Sequence, residues 1–321
     1  MRAGSRTIAP LSRGIACWAL LGLAALLIEP PSAEAARGCP AGMVSVNGKF
    51  CIDAYEASVD VVNASGKTLR RHSPYQVPKS EERLRARSRR GVAPQAHISQ
   101  EMAAQACENA GKRLCTDEEW LEACKGKQPT TYPYGDEHQD NRCNDKGVSP
   151  LRTIHGAKDD SQVFGIDAMN DPRLNQVPGS LAPTGKFSRC RNSFGAYDMV
   201  GNLHEWTANP GGVFRGGYYL DNEINGTGCD YKTTAHNTKY RDYSIGFRCC
   251  RGGAGDAVVK RQRETRRPET KRRQPRTHVV EKGDSLWAIA RKYDVEVKAL
   301  CDKNQISPKD PIRVGQELEI P

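Results

Sequence analysis

Residues 110–126 read Ala110-Gly111-Lys112-Arg113-Leu114-Cys115-Thr116-Asp117-Glu118-Glu119-Trp120-Leu121-Glu122-Ala123-Cys124-Lys125-Gly126, and the reading of the larger part of the chain starts from them. Thr116 followed three residues later by Glu119 has the form of a capping box. The hydroxyl accepts from the amide of the third helical residue, and the carboxylate reaches back to the cap amide. The helix so begun carries Trp120 and Cys124 on one face, one turn apart. Upstream, Ser99 starts a second helix with Met102, Ala106, Cys107 and Ala110 on one face. Elsewhere between Cys39 and Arg251 the chain is rich in Gly, Asn, Asp and Pro, with few long periodic runs. Two short helices in a loop-rich α+β domain are what this pattern predicts.

At 321 residues the chain is too long for one average domain and comfortable for two. Arg2, Arg6 and Arg13 precede an apolar run from Ile15 to Ile28, which is followed by Pro30-Pro31 and Ala33-Glu34-Ala35. That order predicts a signal peptide over 1–35, with no membrane span after cleavage, because the run is short of the ~20 residues a spanning helix needs. Of twelve cysteines, Cys17 lies in this segment and eleven remain. In an exported chain such usage argues for disulfides, and the absence of any C-x-x-C pair argues against a zinc ribbon or a thioredoxin-like redox site. Periplasm, cell wall or exterior is the expected location.

The net charge of +10 is concentrated rather than spread. Arg251 to Arg276 is dense in Lys and Arg and nearly devoid of large apolar residues, which predicts a disordered linker over 253–276. No aromatic residues interleave these charges, so no specific nucleic-acid partner is expected. A second basic stretch, Lys67 to Arg90, reads as a surface excursion of the large domain.

After Thr277 comes a short β-run, His278-Val279-Val280, then Gly283-Asp284-Ser285, and then Leu286, Ile289, Ala290 and Tyr293 at i, i+3, i+4 and i+7. This is the face of a helix capped by Asp284 or Ser285. A second helix carries Val297, Leu300 and Cys301 and stops near Asn304, and the alternation of residues 315–321 suits a closing strand. The βααβ order and these residues closely resemble the LysM family. The resemblance implies binding to N-acetylglucosamine chains, as in peptidoglycan. It puts the groove between Gly283, Asp284, Ser285 and Leu286 on one wall and Asn304, Gln305, Ile306 and Ser307 on the other. Cys301, on the apolar face, is expected to be a buried unpaired thiol.

The runs at 110–126, 132–136 (YPYGD), 195–207 (GAYDMVGNLHEWT), 213–220 (VFRGGYYL) and 244–249 (SIGFRC) resemble the formylglycine-generating enzyme, or sulfatase-modifying factor, superfamily over the whole of 36–252. The resemblance implies a disulfide-rich, C-type-lectin-like domain with bridges from Cys107 to Cys249 and from Cys124 to Cys229. Of the remaining cysteines, Cys39 and Cys51 flank a hairpin-like loop, and Cys143 with Cys190 and Cys115 with Cys250 complete the set. Catalytic members of the superfamily bind copper through two cysteines just after a GGSY motif. Here the stretch reads Gly216-Gly217-Tyr218-Tyr219-Leu220-Asp221, with Tyr218 at the serine position and Asp221 at the first cysteine position. Thiolates are what Cu(I) demands, so no copper is expected.

The resemblance further implies a structural calcium ion, with side-chain oxygens from Asp198 and Glu205 and carbonyls from Gly201 and Leu203, the hard donors calcium prefers. The favoured function is a non-catalytic, calcium-braced scaffold held to the wall and presenting a binding face to an envelope ligand of unknown identity. The alternative is a metal-dependent oxidoreductase or protein-modifying enzyme of altered chemistry, drawing on Tyr218, Asp221, Glu223, Lys232 and His236.

Overall fold

A computed structural model describes residues 38–156, 165–266 and 276–321, apart from 282, 294 and 309. The expected signal segment, 1–35, lies outside the described residues. The chain divides into two compact units, 1–255 and 256–321.

In the first unit the hairpin β1 (Met43–Val46) and β2 (Phe50–Asp53) opens the domain. Next come β3 (Ala57–Val62), β4 (Thr68–Arg71) and β5 (Leu84–Ser88), helix α1 (Gln100–Glu108), β6 (Arg113–Leu114) and helix α2 (Asp117–Lys125). Two short helices follow, α3 (Pro150–His155) and α4 (Ile166–Met169). The strands β7 (His204–Trp206), β8 (Phe214–Arg215), β9 (Lys232–Thr233), β10 (Ile245–Phe247) and β11 (Cys249–Arg251) complete the unit. One sheet has the order β1-β2-β11-β6, a second β10-β7-β8-β9 and a third β4-β3-β5. The helices α1 and α2 start where the sequence predicts. Ser99 accepts from Met102 N, and Thr116 and Glu119 form the complete capping box.

The basic stretch Lys67–Arg90, expected as a surface excursion, supplies two strands, β4 exposed throughout and β5 partly buried. Its strands β4 and β5 flank β3 on either side. Every residue of β3 is buried, Asp60 included, and Asp60 is answered by Arg87 and Arg89 at 3.0 and 3.3 Å. The stretch expected to be a disordered linker is in part helical, since α5 spans Ala254–Arg266. Its second half, Lys260 to Arg266, is mostly long and unbranched, the kind of residue that loses little rotamer freedom in a helix, so local propensity suffices where a core is absent.

Five disulfides tie the first unit together: Cys39–Cys51, Cys107–Cys249, Cys115–Cys250, Cys124–Cys229 and Cys143–Cys190. The adjacent residues Cys249 and Cys250 send their bridges in opposite directions, because successive side chains of a strand point to opposite faces. One bridge reaches α1 and the other the segment leading into α2. Trp120 and Cys124 lie in one core cluster, while Trp206, Phe214, Ile245 and Phe247 lie in another.

In the second unit β12 (Arg276–Val279) pairs antiparallel with β13 (Glu317–Ile320), and helices α6 (Leu286–Tyr293) and α7 (Val297–Asn304) lie between them in the chain. The unit has its own small core, in which Leu286, Ile289, Leu300, Leu318 and the free thiol of Cys301 are buried. No helix among the described residues is long and apolar enough to cross a membrane.

The bridge Cys143–Cys190 closes a 47-residue separation of loop-rich chain. Replacing both cysteines with serine is expected to lower stability by about 2–4 kcal/mol, read as a reduced urea midpoint with little change in slope.

Candidate functional site

The polar centre of the large domain is Arg248, fully buried on β10's outgoing edge. Its Nε and Nη2 donate to the two oxygens of Glu205, each at 2.6 Å, and Trp120 Nε1 donates to Glu205 Oε2 at 2.7 Å. The guanidinium also donates to the carbonyls of Asp53, Tyr197 and Asp198. Two further buried carboxylates share this neighbourhood. Glu56 accepts from the Asn202 amide and from Leu203 N, and Asp198 accepts from Gly185 N at 2.6 Å. Burial, then the charges of Asp198 and Glu205, holds the Glu56 carboxyl well above the usual carboxylate range. Burial likewise pushes Asp198 up to about 7.

Three carboxyl groups thus share the neighbourhood of one guanidinium, and burial makes Glu56 and Asp198 hold their protons to higher pH than exposed carboxyls do. The donors are all oxygens, which is the kind of donor calcium takes. Glu205, however, is chiefly engaged by Arg248 and Trp120. Among the described residues no group of three or more His, Cys, Asp or Glu side chains stands in a metal-holding arrangement. A calcium ion at the expected loop would therefore rely on the Gly201 and Leu203 carbonyls beside Asp198. Glu56 and Arg248 belong to this centre and escaped the sequence reading. Their signal was a carboxylate inside the apolar run Ala54–Val62, since a charge buried there must find partners.

The five candidate catalytic residues meet different fates. Tyr218 and Asp221 face each other across an isolated bridge, and Gly217 turns the chain at φ +69° where any Cβ would strike the Asp221 carbonyl. Asp221 Oδ1 accepts from the amides of Glu223 and Ile224 at 2.8 and 3.0 Å, and Oδ2 accepts from Tyr231 Oη at 2.9 Å. The carboxylate thus braces its own loop. Glu223 is exposed, 3.8 Å from Lys146. Lys232 points to Asp117 at 3.6 Å, which also receives Arg215. His236 stacks on Tyr240 with ring centroids 3.7 Å apart.

Behind Tyr218 lies His204, its ring 4.8 Å from those of Tyr218 and Phe214 and 5.4 Å from that of Tyr231. Its Nδ1 is buried without a partner, and burial drives its pKa down to about 3.

In the small unit Ser285, rather than Asp284, caps α6, its Oγ accepting from Ala288 N at 3.2 Å. Asp284 accepts from Glu281 N and pairs with His278 Nε2 at 2.7 Å, while His278 Nδ1 lies 3.1 Å from Tyr293 Oη. Gly283 is exposed at φ +97°, and Leu286 is buried in the core. On the other wall, Asn304 is locked to the backbone of Glu319 through both its amide atoms. Gln305 takes the left-handed conformation that ends α7, Ile306 packs on the core and Ser307 N donates to Asp310. Leu286 anchors the first wall in the core, and the hydrogen bonds of Asn304 and Ser307 hold the second.

A family profile described as the sulfatase-modifying factor enzyme 1-like domain matches residues 27–253. The chain belongs to this family. A LysM domain follows at 278–321, so the family domain is of the C-type-lectin-like class and carries a C-terminal LysM module. Bovine inactive C-alpha-formylglycine-generating enzyme 2 is 30% identical over 171 residues, half of each chain. The formylglycine-generating enzyme of Mycobacterium tuberculosis is 34% identical over 98 residues, 30% of this chain and 27% of its own. The cell division protein DipM of Caulobacter vibrioides is 39% identical over 44 residues, 14% of this chain and 7% of its own. The chain thus spans about half the length, or less, of the curated relatives it matches.

Because His204 is held neutral in the family domain, the unfolded chain takes up its proton first as pH falls. The stability this contributes is fully present above about pH 6.5 and is lost toward pH 3. Urea unfolding between pH 7 and 4.5 should therefore be less pH-dependent in His204→Phe than in the parent, by up to about 1.4 kcal/mol per pH unit.

Proposed function

We propose that the chain is exported by its N-terminal segment and held at the cell wall, where the LysM domain binds the N-acetylglucosamine backbone of peptidoglycan and the large domain serves as a non-catalytic binding scaffold braced by calcium. One observation carries the non-catalytic reading. The loop that would need thiolates for copper chemistry offers Asp221, whose two oxygens are spent on Glu223, Ile224 and Tyr231 within the same loop. Tyr218 fills the position beside it and covers His204 with an aromatic ring. The bovine relative's designation as inactive is in keeping with this reading.

Attachment to the wall is supported by the LysM module, and five disulfides fit an oxidising compartment. One module of this size binds weakly, and the repeating sugar supplies many equivalent sites. Calcium is supported by the oxygen donors gathered beside the Arg248–Glu205 pair, the buried carboxyls of Glu56 and Asp198 among them.

The test is co-sedimentation of the mature chain with insoluble peptidoglycan, together with metal analysis of protein purified without chelator. Binding should vanish when Thr277–Pro321 is deleted. Calcium should be the metal recovered, and a chelator should lower the melting temperature until calcium is restored. Undiminished sedimentation of the deletion would overturn the LysM reading, and stoichiometric copper or iron would overturn the scaffold reading in favour of the enzyme.

A further inference from the structure

A cleft of about 490 Å³ in the large domain has Lys125, Lys127, Arg142 and Arg191 among its lining, with Tyr134 and Ser193 between them, and neither Asp nor Glu lines it. Its volume is that of an ordinary ligand site. The four cations come from three segments of the chain, and three of them stand next to a disulfide cysteine: Lys125 after Cys124, Arg142 before Cys143 and Arg191 after Cys190. Like charges brought together repel, and here covalent bridges fix their backbone so that they cannot drift apart. Lys125 has a carboxylate partner, Asp230, at 2.8 Å. Among the described residues Lys127, Arg142 and Arg191 form no ion pair with a carboxylate.

The two arginines are held by other means. Arg142 Nε donates to the Arg189 carbonyl at 3.0 Å and Nη1 to Gln139 Oε1 at 2.7 Å, and its guanidinium lies 4.7 Å from the Tyr134 ring centroid. Arg191 lies 5.3 Å from that of Tyr197. Stacking of this kind orients a planar fork, and the N–H groups that these bonds do not use remain for a carboxylate. The rim is closed by Lys127 N, which donates to Ser193 Oγ at 2.7 Å.

We propose that this cleft binds a short, carboxylate-rich peptide, the chemistry of the stem peptides attached to the sugar backbone of the wall. The choice of source rests on the wall attachment proposed above, whereas the demand for an acidic ligand rests on the cleft alone. Cations contributed by three separate segments of the chain favour several carboxylates on one extended ligand over a single compact anion.

The experiment is isothermal titration of the full chain with the tetrapeptide stem of peptidoglycan freed of its sugars, so that LysM binding to sugar has no part in the signal. Its fully amidated form and inorganic phosphate serve as comparison ligands. Saturable binding of the acidic stem is expected, at least tenfold tighter than the amidated stem, and weakened at least tenfold in Lys127→Gln/Arg191→Gln. Both residues are exposed, and an unchanged melting temperature of that variant excludes unfolding as the cause. Absence of saturable binding, equal binding by the variant or the amidated stem, or displacement of the stem by equimolar phosphate would each overturn the proposal. Failure of the chain to sediment with peptidoglycan, alongside intact stem binding, would fault the LysM reading and leave the cleft standing.

Discussion

The ion pair between Arg248 and Glu205 is the interaction on which the large domain depends. Both groups are shut away from water, and neither would be tolerated there alone, because removing one partner of such a pair costs about 3–5 kcal/mol. Trp120, set by the capping box of α2, donates to the same carboxylate, and Arg248 ties down carbonyls at Asp53, Tyr197 and Asp198. A helix, two strands and a polar loop are thereby referred to one point. Regular structure is scarce in this domain, and a central charge network with covalent bridges around it substitutes for long packed elements.

The same economy explains how the domain holds its loops. The disulfides do not merely shrink the unfolded ensemble. They fix the ends of irregular segments whose own hydrogen bonds are local, such as the Asn192 turn that caps three successive amides with one side-chain oxygen. Loops anchored in this way can present side chains in constant geometry, which is what a binding face requires and what a flexible loop cannot supply. The loop at 217–231 shows the cost of that rigidity for chemistry. Asp221 is so fully used in bracing it that the carboxylate is poorly placed to do anything else.

In the LysM domain, stability and recognition draw on the same residues. Ser285 caps a helix, Asp284 is fixed by His278 and Glu281, and Asn304 is bound to the closing strand. The side chains the pattern singles out hold the two loops in shape. A resemblance at the level of sequence cannot separate these roles, because capping and ligand contact ask for the same small polar residues at the same positions.

Local features were legible in the amino-acid order. Thr116 and Glu119 announce the start of α2, the i, i+3, i+4, i+7 spacing of Leu286 to Tyr293 announces α6, and the βααβ order of the last unit follows from periodicity alone. The composition of 253–276 misled where propensity outweighed the lack of a core, and α5 formed. What only the tertiary structure decided were the relations between distant residues. Glu56 and Asp198 crowd around one arginine from opposite parts of the chain, Glu205 turns to Arg248, and three cations beside disulfides gather at one cleft. Such relations depend on which loops the bridges and the buried charges bring together. No periodicity records them, because the energies that fix them act through space and not along the chain.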